Sequence, residues 1–371
     1  MLKSLDKLNH VDQLRGVAIL LVLLVHVCQS QGNVSPLLYI ASDFGKTGVQ
    51  LFFFLSAYTL SLSFSQGRDR SLGNFYIRRY FRIAPLYYTG ILIYYVMTKL
   101  PQLNLQGALS HAESYAAGNV LANLLFVHGL VPPANNSIVP GGWSIGTEML
   151  FYAIFPPIFL VYSKYNSAKN LLLIPIIAFL VANAFAIIAY YLGAPVFTDL
   201  FYYYFILNQL PVFTVGLSYF FLEQAGYFKY SRTICLIAFS VLFALSFVLM
   251  YKLGNNLSLS IFIAALSFSF LFNWFKQSDF KLRLLARIGQ LSFSIYIFHF
   301  LFAWPLSTAL AARLQPHLHA YLVYVICYVV VISLSMFLAM ISEYLIEKGG
   351  IALGKRLIRR RQAGAVFIRS K

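Results

Sequence analysis

Charge is scarce in this sequence, and acidic charge most of all. Aspartate and glutamate together number 11 among 371 residues, and all charged residues make up 11% of the chain. A soluble domain carries about a quarter charged residues, so an ordinary soluble fold is excluded. Cysteine is nearly absent as well. Cys28, Cys235 and Cys327 lie in apolar sequence, are odd in number and share no metal-ligand spacing. They read as small buried hydrophobes, which sets aside a disulfide framework and a thiolate metal site. An internal repeat is also missing, and with it the paired halves of many transporters.

What is present is apolar sequence, 60% of the chain, with a mean hydropathy of +0.74. Runs long enough to cross a bilayer recur from end to end, and a backbone in lipid must satisfy its own hydrogen bonds. The expectation is therefore an all-α polytopic membrane protein with about ten transmembrane helices. They fall near 11–29, 47–65, 83–99, 143–163, 171–192, 201–222, 233–252, 257–275, 289–310 and 320–346. The apolar stretch Val120–Val127 is too short to cross and reads as a re-entrant or interfacial piece. The first span lacks a small-x-small cleavage site and holds Arg15 and His26, which argues against a cleaved signal peptide.

The net charge of +17 would suggest nucleic acid in a soluble protein. In a membrane protein, lysine and arginine collect in the cytoplasmic loops, and no nucleic-acid partner is expected. With the N-terminus cytoplasmic, 23 of the 28 basic residues fall on that side and 4 (Lys46, Lys99, Lys252 and Arg313) on the other. Both termini are thus expected in the cytoplasm of a plasma (inner) membrane protein. A membrane domain over 1–347 is followed by a basic tail, 348–371, whose "GKRLIRRRQ" reads as stop-transfer charge resting on anionic membrane lipids.

Ionisable residues inside spans are expensive and point to function. "DQLRGVAILLVLLVH", residues 12–26, holds Arg15 near the cytoplasmic face. Its His26 lies eleven residues on, roughly 16 Å along a helix at ~1.5 Å per residue. Glu148 enters from the opposite face in "GGWSIGTEMLFYAIFPP", and His299 ends "LSFSIYIFH", so the three share a depth near or beyond mid-membrane. A helix–helix hydrogen bond is the plainer role for His299, and neutralising a buried arginine the plainer one for Glu148. His10, His111, His128, His317 and His319 fall in loops or span ends, and Tyr202, Tyr203 and Tyr204 read as interface-belt aromatics. The loop "NFYIRRYFRIAPLYY" carries Arg78, Arg79 and Arg82 with no lysine among them. Arginine offers a planar donor fork suited to phosphate, and Arg79 and Arg82 at i, i+3 share a helix face.

Together these residues resemble acyltransferase family 3, integral-membrane O-acyltransferases that include bacterial O-antigen acetylases. The resemblance rests on Arg15-x10-His26, "GVQLFFFLSAYTL", Arg79-x-x-Arg82 followed by Pro85, "WSIGTEMLFY" and "LSFSIYIFH", in that order across essentially the whole chain. Two departures stand out. Ser56-Ala57-Tyr58 replaces the usual Ser-Gly-aromatic, and a single carboxylate, Glu148, follows the tryptophan block. The hydrolase-like domain that some members carry is not part of the resemblance, which covers the membrane unit alone.

The resemblance implies an acyl-CoA donor, acetyl-CoA by default, no metal, and an acceptor hydroxyl on a cell-surface glycan or lipid-linked sugar. Arg79, Arg82, Asp12 and Arg15 would meet the donor at the cytoplasmic mouth. His26 would act as general base or as an acyl-accepting nucleophile, with Glu148 as its catalytic partner near the outer face. Trp143, Ser144 and His299 would bind the acceptor, Trp143 by stacking on a sugar ring. A transporter or flippase for lipid-linked saccharides is the rival from another class, although transport alone needs no arginine cluster below a histidine. A glycan polymerase would call for longer outer loops, and a purely structural scaffold for no buried Arg15, His26 or Glu148.

Overall fold

The computed structural model describes residues 9–31, 34–67, 71–99, 112–194, 199–252, 257–278 and 281–369. Lys3, Lys7, Arg68, Arg70, His111 and the last two residues lie outside the described residues. Among the described residues there are helices and no strand. In chain order they are α1 (Asn9–Gln29), α2 (Pro36–Asp43), α3 (Thr47–Ser65), α4 (Leu72–Thr98), α5 (Ala117–Leu124) and α6 (Gly142–Lys164). There follow α7 (Ala168–Tyr191), α8 (Asp199–Tyr204), α9 (Ile206–Gln224), α10 (Arg232–Lys252) and α11 (Leu257–Lys276). The remainder are α12 (Arg283–Gln290), α13 (Ser292–Phe298), α14 (Phe300–Ala303), α15 (Pro305–Leu314), α16 (Ala320–Ser342) and α17 (Lys348–Arg369), the last two joined by a π-helical turn, Glu343–Glu347.

Eight helical segments among the described residues are long and apolar enough to cross a bilayer. A ninth is the pair α13 with α14–α15, bent by 40° at His299. Eight or nine such segments fit the expected all-α polytopic membrane protein with about ten transmembrane helices. The remaining expected span, 83–99, is the apolar half of α4, a 27-residue helix. Its first half carries Arg78, Arg79 and Arg82, so it belongs at a charged surface and not in the hydrocarbon layer.

Burial separates the helices into two sets. α1, α3, α9 and α11 are largely buried, whereas α7 and α10 bury only 17% of their most apolar windows and present leucine, isoleucine and valine outward. Such exposure costs nothing against lipid tails; helices in a membrane associate instead by close packing of small residues. The tightest approach is α1 on α12, where a Cβ on Gly289 would lie 1.7 Å from the Asp12 carbonyl and one on Gly16 2.3 Å from that of Leu285. Ala57, in place of the expected glycine, still permits a close α3–α9 contact, because Gly216 on α9 lies against the Phe54 carbonyl and the Ala57 methyl.

These contacts bring the start of α1, the short α12 and the end of α16 together at one end of the bundle. Arg287 of α12 pairs with Glu343 at 2.7 Å, and the Ser294 hydroxyl donates to Glu347 in the π-turn. α17 does not hang free after α16. It lies along the charged half of α4, where Gly350 and Gly354 meet Pro85 and Phe81 and Ile358 is buried, while Lys355, Arg356, Arg359, Arg360 and Arg361 face outward.

Candidate active site

Two cavities follow the axis of α1. The first surrounds Arg15, seven residues into the helix. Arg15 Nη1 is 3.8 Å from Asp12 Oδ1, one turn earlier, and the other Asp12 oxygen accepts from Gln290 Nε2 at 3.0 Å. Arg79 and Arg82 enter the same cavity from α4, their i, i+3 spacing placing both on one face. The Arg79 guanidinium also lies over the rings of Phe75 and Tyr152, 5.6 and 6.0 Å from their centroids. Glu148 is the acid of this cavity, its Oε1 accepting from Ser56 Oγ at 2.6 Å and Tyr152 Oη at 2.5 Å. The free volume is about 90 Å³.

The second cavity, about 520 Å³, is lined by His26 and Gln29 at the end of α1, by Asp43 and Lys46 between α2 and α3, and by Trp143, Tyr203, Tyr204, Phe300 and Trp304. His26 Nδ1 is 3.0 Å from Gln29 Oε1, an oxygen that only accepts. With the Gln29 amide in this orientation the proton sits on Nδ1 and the Nε2 lone pair is available. The Lys46–Asp43 pair closes at 2.8 Å.

Val49 and Tyr296 line both cavities. Tyr296 Oη donates to the Gly141 carbonyl at 2.9 Å and accepts from Ser144 Oγ at 2.7 Å, so two hydroxyls and one carbonyl stand between the chambers. Gly141 has φ +75°, and a Cβ there would lie 2.9 Å from the Tyr296 hydroxyl. Glycine thus supplies both the left-handed turn before α6 and room for the phenol.

The structure brings Arg15, Asp12, Arg79 and Arg82 to one end and sets His26 beside His299, ring centroids 5.3 Å apart. Glu148 does not share the depth of His26; it lines the arginine cavity. The reason lies in where α6 begins. The Gly142 backbone abuts the Tyr87 hydroxyl, and Tyr87 is near the middle of α4, so the helix starts inside the bundle and Glu148 falls a further turn and a half toward the arginines. His299 is fully buried, with Nδ1 donating to the Tyr296 carbonyl at 2.7 Å and Nε2 without a hydrogen-bond partner. Among the described residues it is absent from the walls of both cavities. Trp143 lines the second cavity, with one face stacked on Tyr204, 4.5 Å between centroids and 24° between planes. Ser144 lines the arginine cavity.

Several residues escaped the sequence reading. Tyr203 and Tyr204 are cavity walls and not belt aromatics. His128, set aside as a loop residue, holds the buried start of α6: Nε2 donates to the Gly142 carbonyl at 3.0 Å, and the ring stacks on Tyr87. Tyr87 in turn donates to Asn123 Oδ1 at 2.7 Å, which ties the short helix α5 to the middle of α4. Tyr296 lies within "LSFSIYIFH", one helical turn before His299, and an uncharged phenol in an apolar run carries no local signal that would mark it. No group of three or more histidine, cysteine, aspartate or glutamate side chains suited to a metal ion occurs among the described residues.

The fold and these cavities define a class, the polytopic helical membrane protein with a charged chamber and a histidine chamber sharing a wall. The acyltransferase domain family matches residues 8–340, and the chain belongs to that family. This is the family to which the motif resemblance pointed. The chain is similar to the peptidoglycan O-acetyltransferase OatA of Listeria monocytogenes serovar 1/2a, with 27% identity over 180 residues. That stretch is 44% of this chain and spans about a quarter, 26%, of the relative's length. No solved structure matches the chain.

Proposed function

We propose that this protein is an O-acyltransferase of the plasma (inner) membrane that carries an acyl group, acetyl by default, from cytoplasmic acyl-CoA to a hydroxyl of a surface glycan or lipid-linked sugar. The observation that carries the reading is the meeting of an arginine-lined cavity and a His26-lined cavity at one wall. Arg79 and Arg82 suit the phosphates of the donor, with Arg15, ordered by Asp12, deeper on the same path. The rise of about 16 Å from Arg15 to His26 is a distance a phosphopantetheine arm can cover. The larger chamber, with Trp143, Tyr204 and Trp304 and the Asp43–Lys46 pair, offers the aromatic and polar surfaces a sugar needs. The charge bias of the loops supports cytoplasmic termini, with the arginine cavity on the donor's side.

In this reading His26, with its proton on Nδ1, uses Nε2 as general base on the acceptor hydroxyl, which attacks the thioester carbonyl. Glu148 serves the donor chamber, where it balances the arginines and holds Tyr152 and Ser56. His299 supports His26 by packing. The test is a His26→Ala variant expressed in a null strain, measuring both the amount of surface glycan and its ester content. Normal glycan without esters is the expected result. Loss of the glycan itself would establish a transporter instead, and full ester content would overturn the role of His26. Acyl label trapped on the protein, dependent on His26, would replace general-base transfer by a covalent route.

A further inference from the structure

Among the described residues the two cavities share two wall residues, Val49 and Tyr296, and of these Tyr296 carries the polar side chain. We propose that Tyr296 is a catalytic residue whose Oη–H stabilises the oxyanion formed during acyl transfer. The proposal rests on the reading above, because it needs the donor's acyl end to arrive from the arginine side and the acceptor hydroxyl from the His26 side. The carbonyl under attack must then lie where the chambers meet, and Tyr296 Oη is the hydrogen-bond donor common to both walls.

The surroundings of the phenol suit that task. Its ring is buried, with 7% of the residue exposed, and a preorganised donor is worth most where water is excluded. Its present acceptor, the Gly141 carbonyl, also takes the backbone N–H of Ser144 at 3.2 Å. Turning the Tyr296 proton toward a thioester oxygen therefore leaves no buried carbonyl unpaired. Ser144 Oγ, at 2.7 Å, donates to the phenol oxygen and polarises its O–H. The Tyr296 carbonyl meanwhile accepts from His299 Nδ1, tying the phenol's helix to the imidazole that packs on His26.

In the step itself, the acceptor oxygen forms a bond to the thioester carbon as its proton passes to His26 Nε2. The carbonyl π pair moves onto oxygen and is held by Tyr296 Oη–H, which keeps its proton throughout. Collapse restores the carbonyl, breaks the C–S bond and releases the thiolate, which takes the proton from His26. The products are the O-acyl ester and the free CoA thiol.

The test uses full-length protein in native membrane vesicles, with radiolabelled acetyl-CoA and incorporation into the endogenous acceptor. Tyr296→Phe keeps the ring and removes the donor. Loss of one oxyanion donor reduces kcat by about 10²–10³-fold, and the donor KM should stay within about threefold of wild type. A kcat within threefold of wild type would overturn the proposal, as would a loss confined to KM. A series of fluorotyrosines at position 296 keeps the hydroxyl while varying its acidity, and so covers the case in which the phenylalanine variant folds poorly. At constant protein level, kcat that follows phenol acidity supports the donor role, and kcat flat across the series overturns it. His26→Ala runs alongside. If it retains transfer, the underlying reading fails and this proposal with it; if it is inactive while Tyr296→Phe is fully active, only the oxyanion role fails.

Discussion

The arginine chamber and the histidine chamber are built in different ways. The first takes its charged side chains from the interiors of long helices: Arg15 from α1, Arg79 and Arg82 from α4, and Glu148 from α6. The second is assembled from helix ends and breaks. His26 and Gln29 close α1, Asp43 and Lys46 lie at the α2–α3 junction, Trp143 opens α6, Tyr203 and Tyr204 finish α8, and Phe300 and Trp304 flank the kinked α13–α15 segment. Charge differs as well. The arginine site gathers three arginines around one carboxylate, and the histidine site pairs its lysine and aspartate at 2.8 Å. A helix interior delivers polar groups at fixed spacing, which suits an invariant, charged ligand. Helix ends can be re-aimed with little disturbance to the bundle, which suits a varied one.

Mutations that separate the chambers test this contrast, and the largest effect is expected at His26. In purified protein, His26→Ala should abolish transfer while acyl-CoA affinity, followed by isothermal titration, stays at the wild-type value. A parallel loss of affinity would mean that the chambers do not act separately. Arg79→Ala and Arg82→Ala should each do the opposite and weaken the donor. A hydrogen bond to a charged group is worth about 1.5–3 kcal/mol, so roughly ten- to hundredfold in donor binding is expected for each. Arginine to lysine should restore only part of this, since lysine lacks the bidentate fork. Unchanged affinity in both alanine variants would remove the arginines from donor recognition.

Glu148→Gln sharpens the boundary between the two sites. Seated among the arginines, Glu148 should act on the donor side, raising the acyl-CoA KM about tenfold and leaving the acceptor KM unchanged. Its removal also strips a counter-charge from the half-buried Arg15 and Arg79, so a lowered protein level is expected alongside. An acceptor KM that rises while the donor KM holds would return Glu148 to the outer site. The smallest effect is expected away from both cavities. Gly350→Leu forces a side chain into Pro85 and Phe81, 2.7 and 2.9 Å from the position of the Cβ. Such overpacking costs about 1–3 kcal/mol, visible as a lower Tm in detergent, and an unchanged Tm would show that α17 does not bind α4 this way.

The sequence by itself determined the all-helical membrane class, the family and the arginine site. Hydropathy over about twenty residues and spacings of three or eleven are local quantities, and α-helical geometry converts them directly into spans, faces and depths. Arg79 with Arg82, and Arg15 below His26, were legible for that reason. Only the tertiary structure decided the rest. It placed Glu148 with the arginines, because the start of α6 is sunk against His128 and against Tyr87, which is far from it in sequence. It turned Tyr203 and Tyr204 from presumed belt residues into cavity walls, and set Tyr296 between the two chambers. It folded the basic tail onto α4 through glycines at 350 and 354. Depth counted from a helix end holds only if that end lies at the membrane surface, and where a helix begins is settled by the packing of other segments around it.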